Sequence, residues 1–252
     1  MTAHETGSWY DRNYFLLRRL HSLTGIVPVG AFLINHLLTN STAALGGGGH
    51  KFDEHVFWIH SLPFLVFLEF GAIILPLFYH ALFGIVIALT GKSNVRHYSY
   101  ADNWRYTLQR LTGWIAFVFI LVHLGHFRFV HFFGGPHYVG TPAPFHQLQL
   151  GFSMGLPMAA WMAIYMVGLV ASVYHFANGI VTFCISWGIT VNDSSRQKVS
   201  MASAGLGVVL IAWGAMSLWA IANVTPATKL KDASGAPAAE THETTPPARA
   251  SR

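Results

Sequence analysis

Four of the fifteen histidines in this 252-residue chain stand where imidazole chemistry is most constrained. His36, His80, His123 and His175 each lie inside a long apolar stretch, one per stretch. An ionisable side chain within a membrane-length helix is costly and marks a functional site by default. A single histidine of this kind is accounted for by a hydrogen bond across helices; four together point to ligation. Neutral imidazole binds metals through either ring nitrogen. Two imidazoles on facing helices of a bundle form the axial pair of a b-type haem iron.

The neighbouring residues leave room for a flat, bulky guest. His175 has Ala171 and Ser172 one turn before it and Asn178 and Gly179 one turn after; His80 has Gly84 at i+4; His36 shares a face with Val29, Gly25 and Ser22. Ordinary small-residue helix packing would use the same residues. His126, three residues from His123, is an alternative ligand or a hydrogen-bond partner, and the deeper His123 is preferred. His131, His137 and His146 are expected at the outer surface, and His97 with Tyr98 and Tyr100 in an aromatic belt. His21, with Arg19 and Ser22, is placed to meet a haem propionate. Arg128, one turn beyond His123, is placed to do the same higher up, or to snorkel from a helix end.

The elements that must position these groups are five transmembrane helices, so the fold class is an all-α membrane protein, the first four helices forming a haem-binding bundle. A span needs about 20 mostly apolar residues, and the segments are Leu20–Thr39, Phe64–Thr90, Leu111–Phe133, Leu156–Trp187 and Met201–Val224. Composition agrees: 53% of residues are hydrophobic and 10% charged, against about 25% charged in a soluble protein. The net charge of +5 is scattered in short connections and forms no patch for nucleic acid. The single Cys184 excludes an intramolecular disulfide and any multi-cysteine metal site, and no cleavable signal is expected ahead of the first span. Pro28 and Pro76 fall within spans, tolerable where neighbours satisfy the freed carbonyls. The second and fourth spans exceed the bilayer's requirement, which predicts tilt or protrusion.

Arg12, Arg18, Arg19, Lys92, Arg96, Arg105, Arg110, Arg196 and Lys198 all fall on one side, which the positive-inside rule makes cytoplasmic. The chain then divides into a cytoplasmic N-terminal segment (1–19), a five-helix domain (20–224) and a disordered extracytoplasmic tail (225–252). The glycine run in 45–50 is a flexible connector. At about 1.5 Å per residue, His36 and His123 fall at an outer level and His80 and His175 at an inner one.

The stretches RRLHSLTG (18–25), FLINHLLTN (32–40), SLPF (61–64), LPLFYHALFG (75–84), YSYADNWRYTLQRLTG (98–113), YHFANG (174–179) and SWGIT (186–190) occur in an order that resembles the five-helix dihaem cytochrome b (b558-type) anchor of succinate:quinone oxidoreductases, specifically of succinate:menaquinone reductases and related fumarate reductases. The resemblance runs from about residue 14 to 220. It implies two haem b groups, on His80 with His175 near the cytoplasmic subunits and on His36 with His123 distally. It further implies partners, an FAD flavoprotein that oxidises succinate and an iron–sulfur protein, with menaquinone or another quinone as the electron acceptor and a bacterial cytoplasmic membrane as the location. His60, Glu69 and Trp58 are the candidates for quinone contact. Some fumarate reductases of this kind carry a glutamate two residues before the fourth ligand; Val173 stands there, which favours succinate oxidation. The alternatives are a cytochrome b of another quinone-linked dehydrogenase, a membrane di-iron oxidase and a proton-relay transporter.

Overall fold

Hydropathy alone places the spans, and the hydrogen-bonding capacity of the flanking residues decides where the helices begin. The structure is a computed structural model that describes residues 8–91, 95, 100–130 and 143–226. The expectations for Lys92, Arg96, His97, Tyr98, His131, His137 and most of the tail lie outside the described residues.

Five stretches are long and apolar enough to cross a membrane: Trp9–Ala44, Leu65–Thr90, Asn103–Phe129, Met158–Ser186 and Asp193–Asn223. The first is two helices, α1 (Trp9–Ile26) and α2 (Pro28–Ser41). Helix α1 starts well before the expected Leu20. Ser8 and Asp11 form a reciprocal cap, the Ser8 hydroxyl accepting from the Asp11 N–H at 3.3 Å and the Asp11 carboxylate from the Ser8 N–H at 3.0 Å, and such a cap starts a helix on polar residues. Pro28, which has no N–H to donate, divides the span at Val27. The ladder resumes around it, Val27 N–H reaching the Leu23 carbonyl and Ala31 N–H the Val27 carbonyl.

A short helix, α3 (His50–His60), follows outside the first span. The second span opens with the single turn α4 (Leu65–Phe67), passes through π-helical Leu68–Ile74, and continues as α5 (Leu75–Thr90). Pro76 sits in the first turn of α5, directly after the π-helical residues, and donates no N–H to the turn before it. The third span is α6 (Ala101–His123), extended by π-helical Leu124–Phe129. Helix α7 (Pro144–Phe152) then precedes the fourth span, α8 (Met158–Ser186). The fifth, α9 (Asp193–Asn223), begins eight residues ahead of the expected Met201, capped by Asn192 and Ser195.

Helix α8 is the hub. It packs on α6, α9 and α1, while α5 lies chiefly against α1. Small residues allow α8 and α9 to approach: a Cβ on Gly214 would lie 2.4 Å from Leu169, and Gly207 faces Val173 and Ala177. Phe67, Phe78 and Leu89 of the second span are exposed, as lipid-facing side chains are. At the end carrying α3 and α7, the Phe145 N–H donates to Asp53 at 2.7 Å. Gly49, at φ +86°, fits beneath Phe145, where a Cβ would lie 2.1 Å from the ring. Gln149 ties α7 to the end of α9 through the Ile221 and Val224 carbonyls, both at 2.8 Å.

Candidate functional site

Between the spans lies a cavity of about 2300 Å³, with all four expected histidines in its wall. Ordinary ligand pockets hold about 300–1,000 Å³, so this space suits more than one bulky guest. The first four spans supply most of the lining, and α9 adds Gly214 and Ser217.

The histidines meet in two pairs. His36 and His123 face each other with ring centres 5.7 Å apart and planes at 80°. His80 and His175 do so at 6.0 Å and 87°. Two metal–nitrogen bonds of about 2 Å, plus the ring radii, place the centres of two axial imidazoles about 6 Å apart. The levels are separated along α6 by the ten residues from Gly113, which touches His175, to His123, and along α8 by the ten from Tyr165 to His175. Both intervals give about 15 Å.

The inner pair is held by main-chain carbonyls. His80 Nδ1–H donates to the His21 carbonyl at 2.8 Å, and His175 Nδ1–H to the Gln109 carbonyl at 3.0 Å. Such bonds fix the tautomer that leaves Nε2 free to ligate. A polar chain then binds α6 to α8: Gln109 donates to the His175 carbonyl, Asn178 to Gln109, and Arg105 to Asn178, at 3.0, 2.7 and 3.0 Å. Gly25 is close to His80 rather than to His36, and its Cβ would sit 2.3 Å from the ring. Gly84 likewise faces His21. These glycines admit imidazoles as well as a guest.

His21 stacks on His80 with ring centres 4.0 Å apart. Arg19 donates to the Ser186 carbonyl and lies over the Phe15 and Trp187 rings. The Ser22 hydroxyl donates to the Arg19 carbonyl and accepts from Trp187 Nε1, so its proton is already committed. Five buried side-chain polar atoms among the described residues lack a partner, and four belong to residues lining this cavity: Arg19 Nε, His21 Nδ1, Arg110 Nε and Ser172 Oγ. Unsatisfied buried guanidinium nitrogens suit an anionic group, and a haem propionate is one. The residues present therefore fit haem. Arg105, Arg110 and Gln109 are polar residues at the start of the third span whose roles only the packing reveals.

At the outer end, Arg128 donates to Glu69 at 2.9 Å, with side chains 34% and 31% exposed. The residue considered for a propionate and the one considered for quinone are thus partners, each on a π-helical turn. Trp58 and His60, at the end of α3, also line the cavity and are largely exposed. His146 is exposed on α7. His126 has both ring nitrogens engaged, Nδ1 near the Tyr165 hydroxyl and Nε2 near the Gly151 carbonyl, each at 3.0 Å. Val173 is fully buried against Gly207 of α9, away from the histidine rings.

No family model matches the chain. A curated relative, the succinate dehydrogenase cytochrome b558 subunit of Bacillus subtilis (strain 168), is 37% identical over 209 residues, covering 82% of this chain and 96% of that protein.

Proposed function

The chain belongs to the family of succinate dehydrogenase cytochrome b558 subunits, and from that premise we propose that it carries electrons from an iron–sulfur subunit through two b haems to a quinone, menaquinone by its resemblance. A flavoprotein that oxidises succinate completes the complex; no residue described above is assigned to that reaction. Haem b, where bound, supplies a one-electron ferric–ferrous couple.

The protein's own work is to place and insulate those couples. His80 and His175 offer Nε2 at the inner level, and the rings of His36 and His123 meet at the outer, with Asn40 Nδ2 3.5 Å from His36 Nδ1. Arg19 and Arg110 supply unpaired N–H donors for carboxylates at the inner end. Trp58, His60 and Glu69 are assigned to the quinone end, with Arg128 holding Glu69 in place. The arginine-lined end faces the cytoplasm and the two soluble subunits, and the α3–α7 end faces outward. Val173, which has no titratable group, stands two residues before the fourth ligand, which supports succinate oxidation rather than fumarate reduction.

The observation that carries this reading is the pair of facing imidazole pairs, each spaced for axial ligation and lying about 15 Å apart in depth. A transporter using histidines as a proton relay has no need of that spacing. A di-iron site needs clustered ligands, and among the described residues no three histidine, cysteine or carboxylate side chains converge.

A reduced-minus-oxidised spectrum of the purified complex, with haem determined chemically, tests it. The expected result is a b-type α-band and two haems per chain, falling to one in His80→Ala or His123→Ala. Absence of the band, or two haems retained in both variants, would overturn it.

A further inference from the structure

The two histidine levels differ in how they are oriented. Both inner ligands donate to main-chain carbonyls, whereas His123 has a side chain beside its Nδ1: the Tyr165 hydroxyl, at 3.4 Å. The same hydroxyl lies 3.0 Å from His126 Nδ1, and His126 Nε2 lies 3.0 Å from the Gly151 carbonyl.

The proton positions follow from one end of this chain. A carbonyl only accepts, and that of Gly151, at the end of α7, takes the Met154 N–H at 3.1 Å and keeps a second lone pair for His126. His126 must therefore carry its proton on Nε2, and its neutral ring accepts at Nδ1. The Tyr165 O–H then points at His126, which turns an oxygen lone pair toward His123. Nδ1 of His123 becomes the donor, leaving Nε2 bare and aimed at the cavity. The reverse order would require both nitrogens of His126 to carry protons in a largely apolar setting.

The relay has little freedom to rearrange. The His126 ring stacks on Trp161 with centres 4.0 Å apart and planes at 15°. Tyr165 is 7% exposed and is in ring contact with Phe119 and Phe152 at 5.2 and 4.7 Å. Buried tyrosine hydroxyls find polar partners, and here the partner is a second histidine fixed in turn by α7.

We infer that Tyr165 and His126 are positioning residues that set the tautomer of His123 and tune the redox potential of the outer haem, with the α7 carbonyl of Gly151 as their anchor. The inference rests on His123 being an axial ligand. A hydrogen bond accepted from the far nitrogen of an imidazole makes that imidazole a more basic ligand, which favours ferric iron. Removing the acceptor raises the potential of that one haem.

The test is a redox titration of the α-band in the intact membrane-bound complex. His123→Ala first identifies the outer component by its loss. If His123→Ala keeps both haems, the ligand assignment itself has failed, whatever the relay does. Tyr165→Phe and His126→Leu should each raise the outer midpoint. The expected size is about a tenfold change in the ferrous:ferric ratio at fixed potential, or about 59 mV for one electron, with the inner midpoint unmoved. His126→Gln keeps one acceptor for the phenol and one donor for Gly151, and should titrate like the wild type. Equal shifts at both haems, or an unmoved outer haem in Tyr165→Phe, would overturn the inference. Should Tyr165→Phe lose the outer haem altogether, the His126 pair decides: Gln and Leu behaving alike would count against the relay, and Gln alone retaining the wild-type potential would sustain it.

Discussion

Asp53 illustrates how much one side chain can hold outside the membrane-spanning segments. Its carboxylate accepts the Phe145 N–H at 2.7 Å and so fastens α7 to α3, while burial pushes its carboxyl above the ordinary value of 3.8. A group raised on folding contributes stability that is present below its ordinary value and is lost as pH rises through the raised one. Asp53→Asn keeps an acceptor and discards the charge, so its melting temperature in detergent should match or exceed that of the wild type at neutral pH. That difference should shrink on acidification through the carboxylate range. Asp53→Ala leaves a buried N–H unpaired and should cost about 1–3 kcal/mol. An Asn variant less stable than Ala at pH 7 would contradict this assignment. At this scale the sequence exposed the four histidines because their polarity contrasts with the apolar residues around them. Tyr165, Gln109 and Arg110 were not separable from interface aromatics and ordinary flanking charge. Their significance lies in partners on other helices.

Helix positions followed from hydropathy, and helix boundaries did not. The residues before Leu20 look like a polar leader, yet Ser8 and Asp11 start a helix there. The π-helical turns bearing Glu69 and Arg128 have no apolar-periodicity signature at all. Small residues near the histidines were visible, but which helix each one faces was not: Gly25 admits His80 of the second span, while its own span continues to His36 eleven residues later. Gly25→Val should therefore force α1 and α5 apart and deplete the inner haem, leaving the outer one in place. Haem content and the surviving spectral component report the outcome directly. Preferential loss of the component missing in His123→Ala would show that Gly25 serves the other level.

Taken whole, the molecule sets its two histidine levels about 15 Å apart in a cavity that runs toward both ends of the bundle. If succinate is oxidised on the arginine-rich side and quinone reduced near Trp58 and Glu69, each electron crosses much of the membrane field, which is worth about 2.3 kcal/mol per charge per 100 mV. Succinate:quinone reduction in energised membranes should then slow when an uncoupler collapses the potential. An unchanged rate would remove the transmembrane direction assigned here. The positive-inside pattern was the whole of the orientation signal in the sequence, and the structure adds that Arg19, Arg105, Arg110 and Arg196 line the same cavity.

The pairing of spans also imposes an order on biosynthesis. Each level joins one of the first two spans to one of the next two, first with third and second with fourth. A nascent chain completes its outer pair when His123 is inserted, and its inner pair only at His175, roughly 50 residues and roughly 3–10 seconds of translation later. Tyr165 arrives in that same interval. The outer pair of histidines thus exists before the hydroxyl beside His123 has left the ribosome, and the fourth span finishes both levels together.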